Sequence, residues 1–387
     1  MILVTEQARA LRRDRPVVCH LTTAHPARDA RIFHKECKTL ARAGYRVVLV
    51  AQHAGREMSD GVLIEPLPRA TGKVQRLVRL QPRALMAAWR QRAALYHVHD
   101  PELMPLALIA RLVWRKRVVY DMHEFYSEAL AGLGRRRSVV RLALHLALER
   151  LPLRFFDLVV FPTESLRLEI ASPTTSVTLV NLPTIDDGKR VRRPIPWDRR
   201  EHDVIHLGTV SPPRMASMLE VASRAAELRS ELRWLFLGVS DATVRWVYAN
   251  YDTTFLNRHV VLRGRTTHME ALRCVQGSRI GFNYHPLERR FLVALPMKVF
   301  EYMLMDIPVV STALPELTRW LEPQRDAILI DGDDPAVYAE AIAALLADPA
   351  RAVALAESGR ARIIDGLNWD ASEGPKLLEA YANVLGR

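Results

Sequence analysis

The sequence predicts an α/β protein with two domains, each built on a parallel β-sheet. The chain has 387 residues, of which 49% are hydrophobic, and this exceeds the size of one typical core. Short β-branched runs alternate with helical patterns, as in strand–helix–strand units. A polar, proline-containing stretch at 184–202 separates two such series and is the best linker. We therefore expect domains at residues 1–190 and 191–370, and a C-terminal helix at 371–387 that could cross back to the first domain.

The first half begins with a strand, a helix and a second strand. The helix over 29–44 has apolar residues at helical spacing, Asp29 can cap its start, and Gly44 can end it. The turn after the first strand has no glycine, so a GxGxxG dinucleotide-binding turn is absent there. A long helix is predicted from Lys73 to Ala94 and another over 101–114. The strands of this half are predicted at 16–21, 46–50, 62–68, 95–100, 117–124, 157–165 and 176–183.

The second half repeats the alternation of strands and helices. Three of its strands end in Gly208, Gly238 and Gly264, which would let a ligand or a turn approach the backbone closely. Its strands are predicted at 203–208, 232–238, 259–264, 279–286, 309–310 and 327–334.

One short helix, from Pro296 to Met305, combines a core face with a charged face. Proline suits a first helical turn, and Asp306 stands where the chain must leave the helix before the next strand. At 100° per residue, Lys298 and Glu301 share the non-core face. A surface ion pair and a ligand-binding face both fit this pattern. The core face holds Met297, Val299, Phe300, Met303 and Leu304, and the other face also holds Tyr302 and Met305.

The net charge of +12 is unevenly distributed along the chain. Residues 1–194 contain 33 Lys and Arg against 18 Asp and Glu, whereas the remainder contains 22 against 25. An anionic partner of the first half, either a membrane surface or a nucleic acid, would explain this, and so would an arginine-rich, high-GC genome. The segment that follows Arg135–Arg137 could lie on a membrane interface or form a core helix.

The cysteines and the apolar runs indicate the compartment. Three cysteines, without a CxxC pair or metal-ligand spacing, favour a reducing compartment and argue against a structural zinc. The first residues lack a signal-peptide core, and no apolar run reaches the roughly 20 residues that span a bilayer. We therefore expect a cytoplasmic protein.

Two polar clusters follow neighbouring strands of the first half. His97, His99, Asp100 and Glu102 form one, and Asp121, His123 and Glu124 form the other. Ligand groups collect at the carboxyl ends of parallel strands, so both clusters are candidates for a site. We interpret His97 as a packed residue and His123 as a ligand-binding one.

Three stretches, at 29–50, 96–124 and 294–312, together resemble a known family over nearly the whole chain. The sequence is similar to bacterial family-four, retaining, nucleotide-sugar glycosyltransferases of the GT-B fold, of the surface-polysaccharide and glycolipid type. The resemblance implies two Rossmann-like domains facing across a cleft.

The resemblance assigns roles to particular residues. Glu301 would bind the nucleotide ribose, while Lys298 and Arg214 would bind the donor diphosphate and act in catalysis. His123 would lie near the transferred sugar. Family members often carry a second glutamate where this chain has Val293, so Glu288 or a backbone amide would substitute for it. Further donor-binding residues would be Gly208, Thr209, Gly238, Gly264, Pro296 and Met297, and the acceptor side would hold Asp29, Arg31, His99, Asp100 and Glu124.

The expected activity is therefore hexosyl transfer from a nucleotide sugar, UDP- or GDP-linked, to a glycan or lipid-linked acceptor. No cofactor and no metal are expected, because the second half has no DxD-type pair at a strand end and Asp331 and Asp333 would instead cap a helix. The protein would act in polysaccharide biosynthesis at the inner face of the cytoplasmic membrane. A nucleotide-sugar epimerase, a nucleic-acid-binding protein and an inactive scaffold are the alternatives. Nucleic acid is not expected, because no aromatic residues are interleaved with the basic ones.

Overall fold

A computed structural model of the chain describes residues 16–123, 151–172, 174–191, 193 and 195–386. The chain forms two compact units. The N-terminal unit ends at Asn181 and regains the chain from Ser372 onward, and the C-terminal unit lies between these points. The sequence analysis places the corresponding boundaries at residues 190 and 370. Each unit is built on its own parallel sheet, which confirms the predicted α/β class.

The N-terminal sheet has eight strands in the order β3-β4-β2-β1-β5-β6-β7-β8. All neighbours are parallel except β3 and β4, which form an antiparallel hairpin at one edge. The sequence analysis missed β3, although Asp60-Gly61, with φ of 49° and 81°, is a strong hairpin-turn signal. The strands are β1 (Val17–Pro26), β2 (Arg46–Gln52), β3 (Glu57–Ser59), β4 (Val62–Leu67), β5 (Leu95–Val98), β6 (Arg117–Asp121), β7 (Leu158–Phe161) and β8 (Ser176–Thr178).

Helices cover this sheet as the apolar spacing predicts. The Asp29 side chain accepts hydrogen bonds from the backbone N–H groups of Arg31 and Ile32, at 2.8 and 2.9 Å, and so begins the first helix as expected. Phe33 and Leu40 of that helix are fully buried. The helices are α1 (Ile32–Cys37 and Lys38–Arg42), α2 (Lys73–Gln75, Arg76–Leu80 and Gln81–Gln91), α3 (Pro101–Leu103, Met104–Leu108 and Ile109–Val113) and α4 (Glu164–Ile170), with a short turn of 3-10 helix at Pro152–Phe155.

The C-terminal sheet has six parallel strands in the order β11-β10-β9-β12-β13-β14. These are β9 (His202–Leu207), β10 (Trp234–Leu237), β11 (Val260–Arg263), β12 (Ser278–Asn283), β13 (Val309–Thr312) and β14 (Ile328–Ile330). Its helices are α5 (Ile185–Val191), α6 (Pro212–Leu228), α7 (Asp241–Asn250), α8 (Thr253–His259), α9 (His268–Gln276), α10 (Arg289–Leu292), α11 (Met297–Leu304), α12 (Pro315–Thr318), α13 (Pro335–Ala347) and α14 (Pro349–Asp365).

The stretch at 184–202, which the sequence analysis interprets as a linker, contains a helix. The helix α5 belongs to the C-terminal unit. Its first turn is acidic and its last turn is basic, which complements the helix dipole. A Cβ atom at Gly188 would lie 2.8 Å from Leu304 Cδ1, so the missing side chain lets α5 pack closely against α11. High polarity and the lack of periodicity concealed a helix that is held by this contact.

The last helix, α15 (Gly374–Leu385), belongs to the N-terminal unit, where its Tyr381 is fully buried. It follows a turn of π-helix at Trp369–Glu373. Among the described residues, no helix combines the length and the apolar character that crossing a membrane requires.

Candidate active site

In the C-terminal unit, β9 and β10 are each followed directly by a glycine, which exposes the backbone at the carboxyl ends of these strands. Gly208 and Gly238 have φ angles of 109° and 99°, which favour glycine. A Cβ at Gly238 would lie 3.2 Å from the backbone of Gly208, so the two turns approach each other closely. A Cβ at Gly208 would lie 3.4 Å from Lys298 Nζ. The bare backbone therefore brings the lysine of α11 to the end of β9.

Lys298 and Arg214 converge on one buried histidine. Lys298 Nζ lies 3.3 Å and Arg214 Nη2 lies 3.2 Å from His206 Nε2. The other ring nitrogen, Nδ1, lies 2.9 Å from the carbonyl oxygen of Phe282 and can only donate to it. His206 is therefore neutral with its proton on Nδ1, and Nε2 accepts from both cations. Arg214 also donates from Nε to the Tyr284 carbonyl at 3.0 Å.

The pKa values agree with this arrangement. Burial, followed by the charges of Lys298 and Arg214, holds the pKa of His206 well below its usual value. Burial and the charge of Arg214 likewise lower the pKa of Lys298 well below the usual value for an amine, although Glu301 acts in the opposite direction. Two cations thus share a partly enclosed space around a neutral ring. This arrangement suits an anionic ligand, which would offset their repulsion.

Glu301 lies one helical turn beyond Lys298 and is 8% exposed. Its Oε1 atom lies 3.6 Å from His268 Nδ1, while His268 Nε2 lies 3.7 Å from Asp187. The interpretation of Lys298 and Glu301 as a surface ion pair is therefore wrong. A nearly buried carboxylate at this position can accept hydrogen bonds from two adjacent hydroxyl groups of a ligand.

The face of α11 that was expected to be non-core also carries buried apolar side chains, which corrects the expected assignment of faces. Tyr302 and Met305 were placed with the charged residues, but both are fully buried. A Cβ at Gly281 of β12 would lie 2.4 Å from the Tyr302 ring, so this glycine makes room for the ring. Tyr302 Oη accepts from the backbone N–H of Leu207 at 2.8 Å. The tyrosine therefore holds α11 to the end of β9, next to Gly208.

The other predicted donor-side residues surround this position. Thr209 follows Gly208, and Gly264 follows β11. The helix α11 begins at Met297, one position later than the sequence predicts, so Pro296 is the residue before its first turn. Asp306 has φ of 59°, as the predicted helix end requires.

Two expectations about polar residues in this unit need correction. Arg214, which the sequence places in the turn after the strand at 203–208, lies in the first turn of α6. The cap of α13 is Asp334, whose side chain accepts from the backbone N–H of Ala336 at 3.0 Å, rather than Asp331 or Asp333.

In the N-terminal unit, buried histidines form a hydrogen-bonded chain that ends on Asp121. Asp121 must accept, so we assign a proton to His99 Nδ1, which lies 3.3 Å from Asp121 Oδ2 and 3.2 Å from His123 Nε2. His99 Nε2 then accepts from His20 Nδ1 at 3.0 Å, and His20 Nε2 accepts from Tyr381 Oη at 3.1 Å. Tyr381 in turn accepts from His97 Nδ1 at 2.7 Å. These partners assign one tautomer to each ring, and all three histidines are neutral.

The pKa values again follow from burial. Burial, followed by the neighbouring histidines, holds the pKa of His20 and of His97 well below the usual value. Burial lowers the pKa of His99 to about 4, although Asp121 opposes this. His97 is thus a packed residue, as the sequence predicts.

Asp121 is the anion of this cluster. Arg31 binds it with Nε and Nη2 at 2.9 and 3.0 Å, and His123 Nε2 lies 3.2 Å from its Oδ2. Although burial alone would raise the pKa of Asp121, Arg31 and the histidines hold it well below its usual value. Arg31 Nε also lies 3.0 Å from Glu36, whose pKa is raised well above the usual value by burial and by Asp121. The pKa values of these two neighbouring carboxyl groups are therefore shifted in opposite directions.

Asp100 organises the last residues of β1. Its carboxylate accepts hydrogen bonds from the backbone N–H groups of Thr23 and Ala24 and from the Thr22 hydroxyl. Its Oδ1 also lies 3.0 Å from His25 Nδ1. Although burial opposes the shift, these contacts lower the pKa of Asp100 to about 2. The ring of His25 lies 4.7 Å from that of His123, so the end of β1 and the second polar cluster meet.

The structure therefore brings together most of the predicted acceptor-side residues. Arg31, His99 and Asp100 are 4%, 1% and 1% exposed and bind protein groups, so they position their neighbours. His123 is more accessible, with a side chain that is 15% exposed. Glu124 lies outside the described residues. The meeting of this cluster with Lys298 and Arg214 across a cleft stays a prediction.

Two groups of described side chains have ligand atoms close enough to hold a metal ion. The first is His20, Glu36, His97 and His99, and the second is His99, Asp121 and His123. The hydrogen bonds given above already use both ring nitrogens of His20 and His99.

Several residues of these sites were not singled out from the sequence. They are His206, His268, Tyr302 and Gly281 in the C-terminal unit, and His20, His25, Glu36 and Tyr381 in the N-terminal unit. The only local signal was a polar side chain inside an apolar strand, at His20 of β1 and His206 of β9.

Solved structures with the same fold cover nearly the whole chain. Sucrose-phosphate synthase from Thermosynechococcus elongatus has a TM-score of 0.75 at 16% identity, over 96% of this chain and 100% of that one. HepE from Anabaena, in complex with UDP-glucose, has a TM-score of 0.67 at 12% identity, over 95% and 100%. A glycosyltransferase from Rickettsia africae has a TM-score of 0.66 at 10% identity, over 96% and 99%. No curated protein matches the chain in sequence.

Two family models match separate parts of the chain. The model described as glycosyl transferase-like matches residues 195–372, and that described as glycosyltransferase family 4 matches residues 29–178. Together with the two parallel sheets, these matches define a glycosyltransferase of the GT-B type. More particularly, the N-terminal unit matches the model of glycosyltransferase family 4 over most of its length.

Proposed function

We propose that this glycosyltransferase moves a hexose-type sugar from a UDP- or GDP-linked donor to a glycan or lipid-linked saccharide, with retention at the anomeric carbon. The observation that carries this proposal is the pair of cations, Lys298 and Arg214, at the bare backbone of Gly208, with Glu301 one turn away. This set offers positive charge for a diphosphate and a carboxylate for a ribose. The complex of HepE with UDP-glucose supports a donor of this class.

The cation pair would act on the leaving group. Negative charge builds on the diphosphate as the glycosidic bond breaks, and preorganised cations stabilise it. A bound diphosphate would raise the pKa of Lys298, because its negative charge opposes the effects of burial and of Arg214 on the amine. No bound metal is needed in this scheme, since Lys298, Arg214 and the N-terminus of α11 supply the positive charge.

The histidine cluster would position the sugar. His123 directs its Nε2–H to Asp121, which leaves Nδ1 to accept a hydrogen bond from a sugar hydroxyl. In same-face attack, the acceptor hydroxyl would pass its proton to the departing phosphate, and His123 would orient the sugar rather than remove that proton. Asp29, Arg31, His99 and Asp100 would shape the acceptor side around it.

The test is transfer and donor binding by Lys298→Ala and Glu301→Ala variants. Both variants should remain folded, lose transfer, and lose the thermal stabilisation that a panel of UDP-, GDP- and dTDP-sugars gives the wild type. Arg245→Ala, an exposed change in the same unit, is the matched control and should behave as wild type. Full turnover in both site variants would refute the assignment.

The same assay separates the competing functions. Conversion of the donor sugar without any acceptor would indicate a nucleotide-sugar epimerase, and binding without turnover would indicate an inactive scaffold, in line with Val293. We propose a cytoplasmic location at the inner face of the membrane, and a role in making lipopolysaccharide or exopolysaccharide, because a lipid-linked acceptor would be found there.

A further inference from the structure

The helix α2 presents an apolar face away from the core of the N-terminal unit. Leu80, Ala84 and Ala88 form its buried side. Five large apolar side chains of the same helix are instead at least half exposed. They are Val74 at 74%, Leu77 at 51%, Val78 at 68%, Met86 at 51% and Trp89 at 58%.

This face continues onto the end of α3. The rings of Trp89 and Trp114 are 5.1 Å apart, so the residues before Trp114 lie beside α2. Among these, Leu112 and Val113 are 57% and 70% exposed. The two helices thus carry seven of the 17 exposed large hydrophobic side chains among the described residues. Such concentration marks an interaction surface rather than scattered exposure. We call Val74, Leu77, Val78, Met86, Trp89, Leu112 and Val113 the α2 surface.

Positive charge lies next to the α2 surface. Seven Lys and Arg residues, and no Asp or Glu, occur between Arg69 and Arg92. Within the part of the chain that the structure describes, Arg79, Arg83 and Arg90 have no carboxylate within ion-pair distance. The Arg90 guanidinium lies 3.5 Å from Met86 Sδ, so charge and apolar surface adjoin.

We propose that the α2 surface docks on an anionic lipid bilayer. A helix with an apolar face, a basic flank and no acidic residues is the pattern that inserts at the interface of a negatively charged membrane. A nucleic acid would match the arginines but would leave Val78 and Trp89 without a partner. The inference rests on the proposed function only in one respect: docking on the membrane would bring the enzyme to its lipid-linked acceptor.

The experiment measures sedimentation of the whole protein with vesicles, without any nucleotide sugar. The vesicles contain phosphatidylcholine alone or with about one third phosphatidylglycerol. We expect binding to the anionic vesicles that weakens as salt is added. The triple variant Arg79→Gln, Arg83→Gln and Arg90→Gln should bind about a hundredfold more weakly, at about fivefold for each arginine. The double variant Val78→Ser and Trp89→Ser should also lose binding, through the loss of apolar insertion.

Matched controls change the same residue types elsewhere. Arg224→Gln, Arg245→Gln and Arg258→Gln remove three exposed arginines from the C-terminal unit and should leave vesicle binding unchanged. Met58→Ser and Leu168→Ser remove two side chains that are 65% and 59% exposed in the N-terminal unit, and should also bind normally. Unfolding curves establish that each variant is folded.

The outcomes separate this inference from its competitors. Absence of binding to anionic vesicles, or binding equal in the α2-surface variants and the controls, would overturn it. Self-association that Val78→Ser and Trp89→Ser abolish, without vesicle binding, would assign the surface to a second copy of the chain. Lys298→Ala should still bind vesicles, so failure of the proposed transferase activity would not be mistaken for failure of docking.

Discussion

Replacing Lys298 by Met should have opposite effects on the unliganded protein and on donor binding. The amine lies 3.3 Å from His206 Nε2, but Arg214 lies 3.2 Å from the same atom, so His206 keeps a donor when the amine is removed. The substitution also removes one of two neighbouring positive charges and retains the apolar stem. We therefore expect the free energy of unfolding to change by less than about 1 kcal/mol, or to rise.

Donor binding should fall steeply in the same variant. A hydrogen bond from an ammonium group to a diphosphate contributes about 3 kcal/mol, which corresponds to roughly a 150-fold change in affinity. A donor at about 100 times its dissociation constant stabilises the wild type by about 2.7 kcal/mol. After a loss of that size, the same concentration would stabilise the variant by only about 0.3 kcal/mol.

The assay is urea unfolding with and without a saturating nucleotide sugar. Lys116→Met, in the N-terminal unit, is the matched control and should keep the full ligand-dependent shift. A purely structural role for Lys298 predicts the reverse result, namely lower stability without ligand and an unchanged shift with ligand. If Lys298→Met lost several kcal/mol of stability without ligand and yet kept the shift with ligand, the assignment of the lysine to the diphosphate would be wrong.

Three further predictions concern the supporting residues. Asp121→Ala should lower the free energy of unfolding by about 3–5 kcal/mol, because Arg31 would lose its main carboxylate partner while it stays buried. Urea unfolding measures this, and a smaller loss than that of Asp29→Ala would contradict the prediction. Gly281→Ala should lower the free energy of unfolding by at least about 1–3 kcal/mol, because the new Cβ would lie 2.4 Å from the buried ring of Tyr302. A thermal midpoint equal to that of the wild type would refute this close packing of Gly281 against the ring. The folded pKa of His99 is about 4, below the unfolded value near 6.5, so its contribution to stability is present above pH 6.5 and is lost as pH falls toward 4. At pH 5 the loss is about 2 kcal/mol, and His99→Asn should show a correspondingly smaller difference in urea midpoint between pH 8 and pH 5.

Local sequence signals identified most of the secondary structure. The cap at Asp29 and the helix end at Asp306 depend on a few neighbouring residues, so the sequence alone could show them. The helix α5 was missed for the opposite reason, because its stability comes from the contact of Gly188 with Leu304, a residue far along the chain. The hairpin of β3 was missed although its turn residues, Asp60 and Gly61, are typical of a β-hairpin turn.

The site was only partly readable from the sequence. Lys298 and Glu301 were singled out by the charged helix face that they share, and His123 by its position after a strand. The roles of all three came from the resemblance of their motifs to a family. Tyr302 was placed on the wrong face, since a single helix does not reveal that sheet and helix cover it on both sides. His206 gave only a weak signal, a polar residue in an apolar strand.

The sequence by itself determined the two α/β units and the residues that carry charge at their strand ends. Those properties follow from the local alternation of apolar and polar residues. Only the tertiary structure decided which of those charges act together. His206 meets a lysine 92 positions away, and His20 meets Tyr381 361 positions away. Such contacts, and the pKa values that burial and neighbouring charges produce, depend on distances that arise only when the chain has folded.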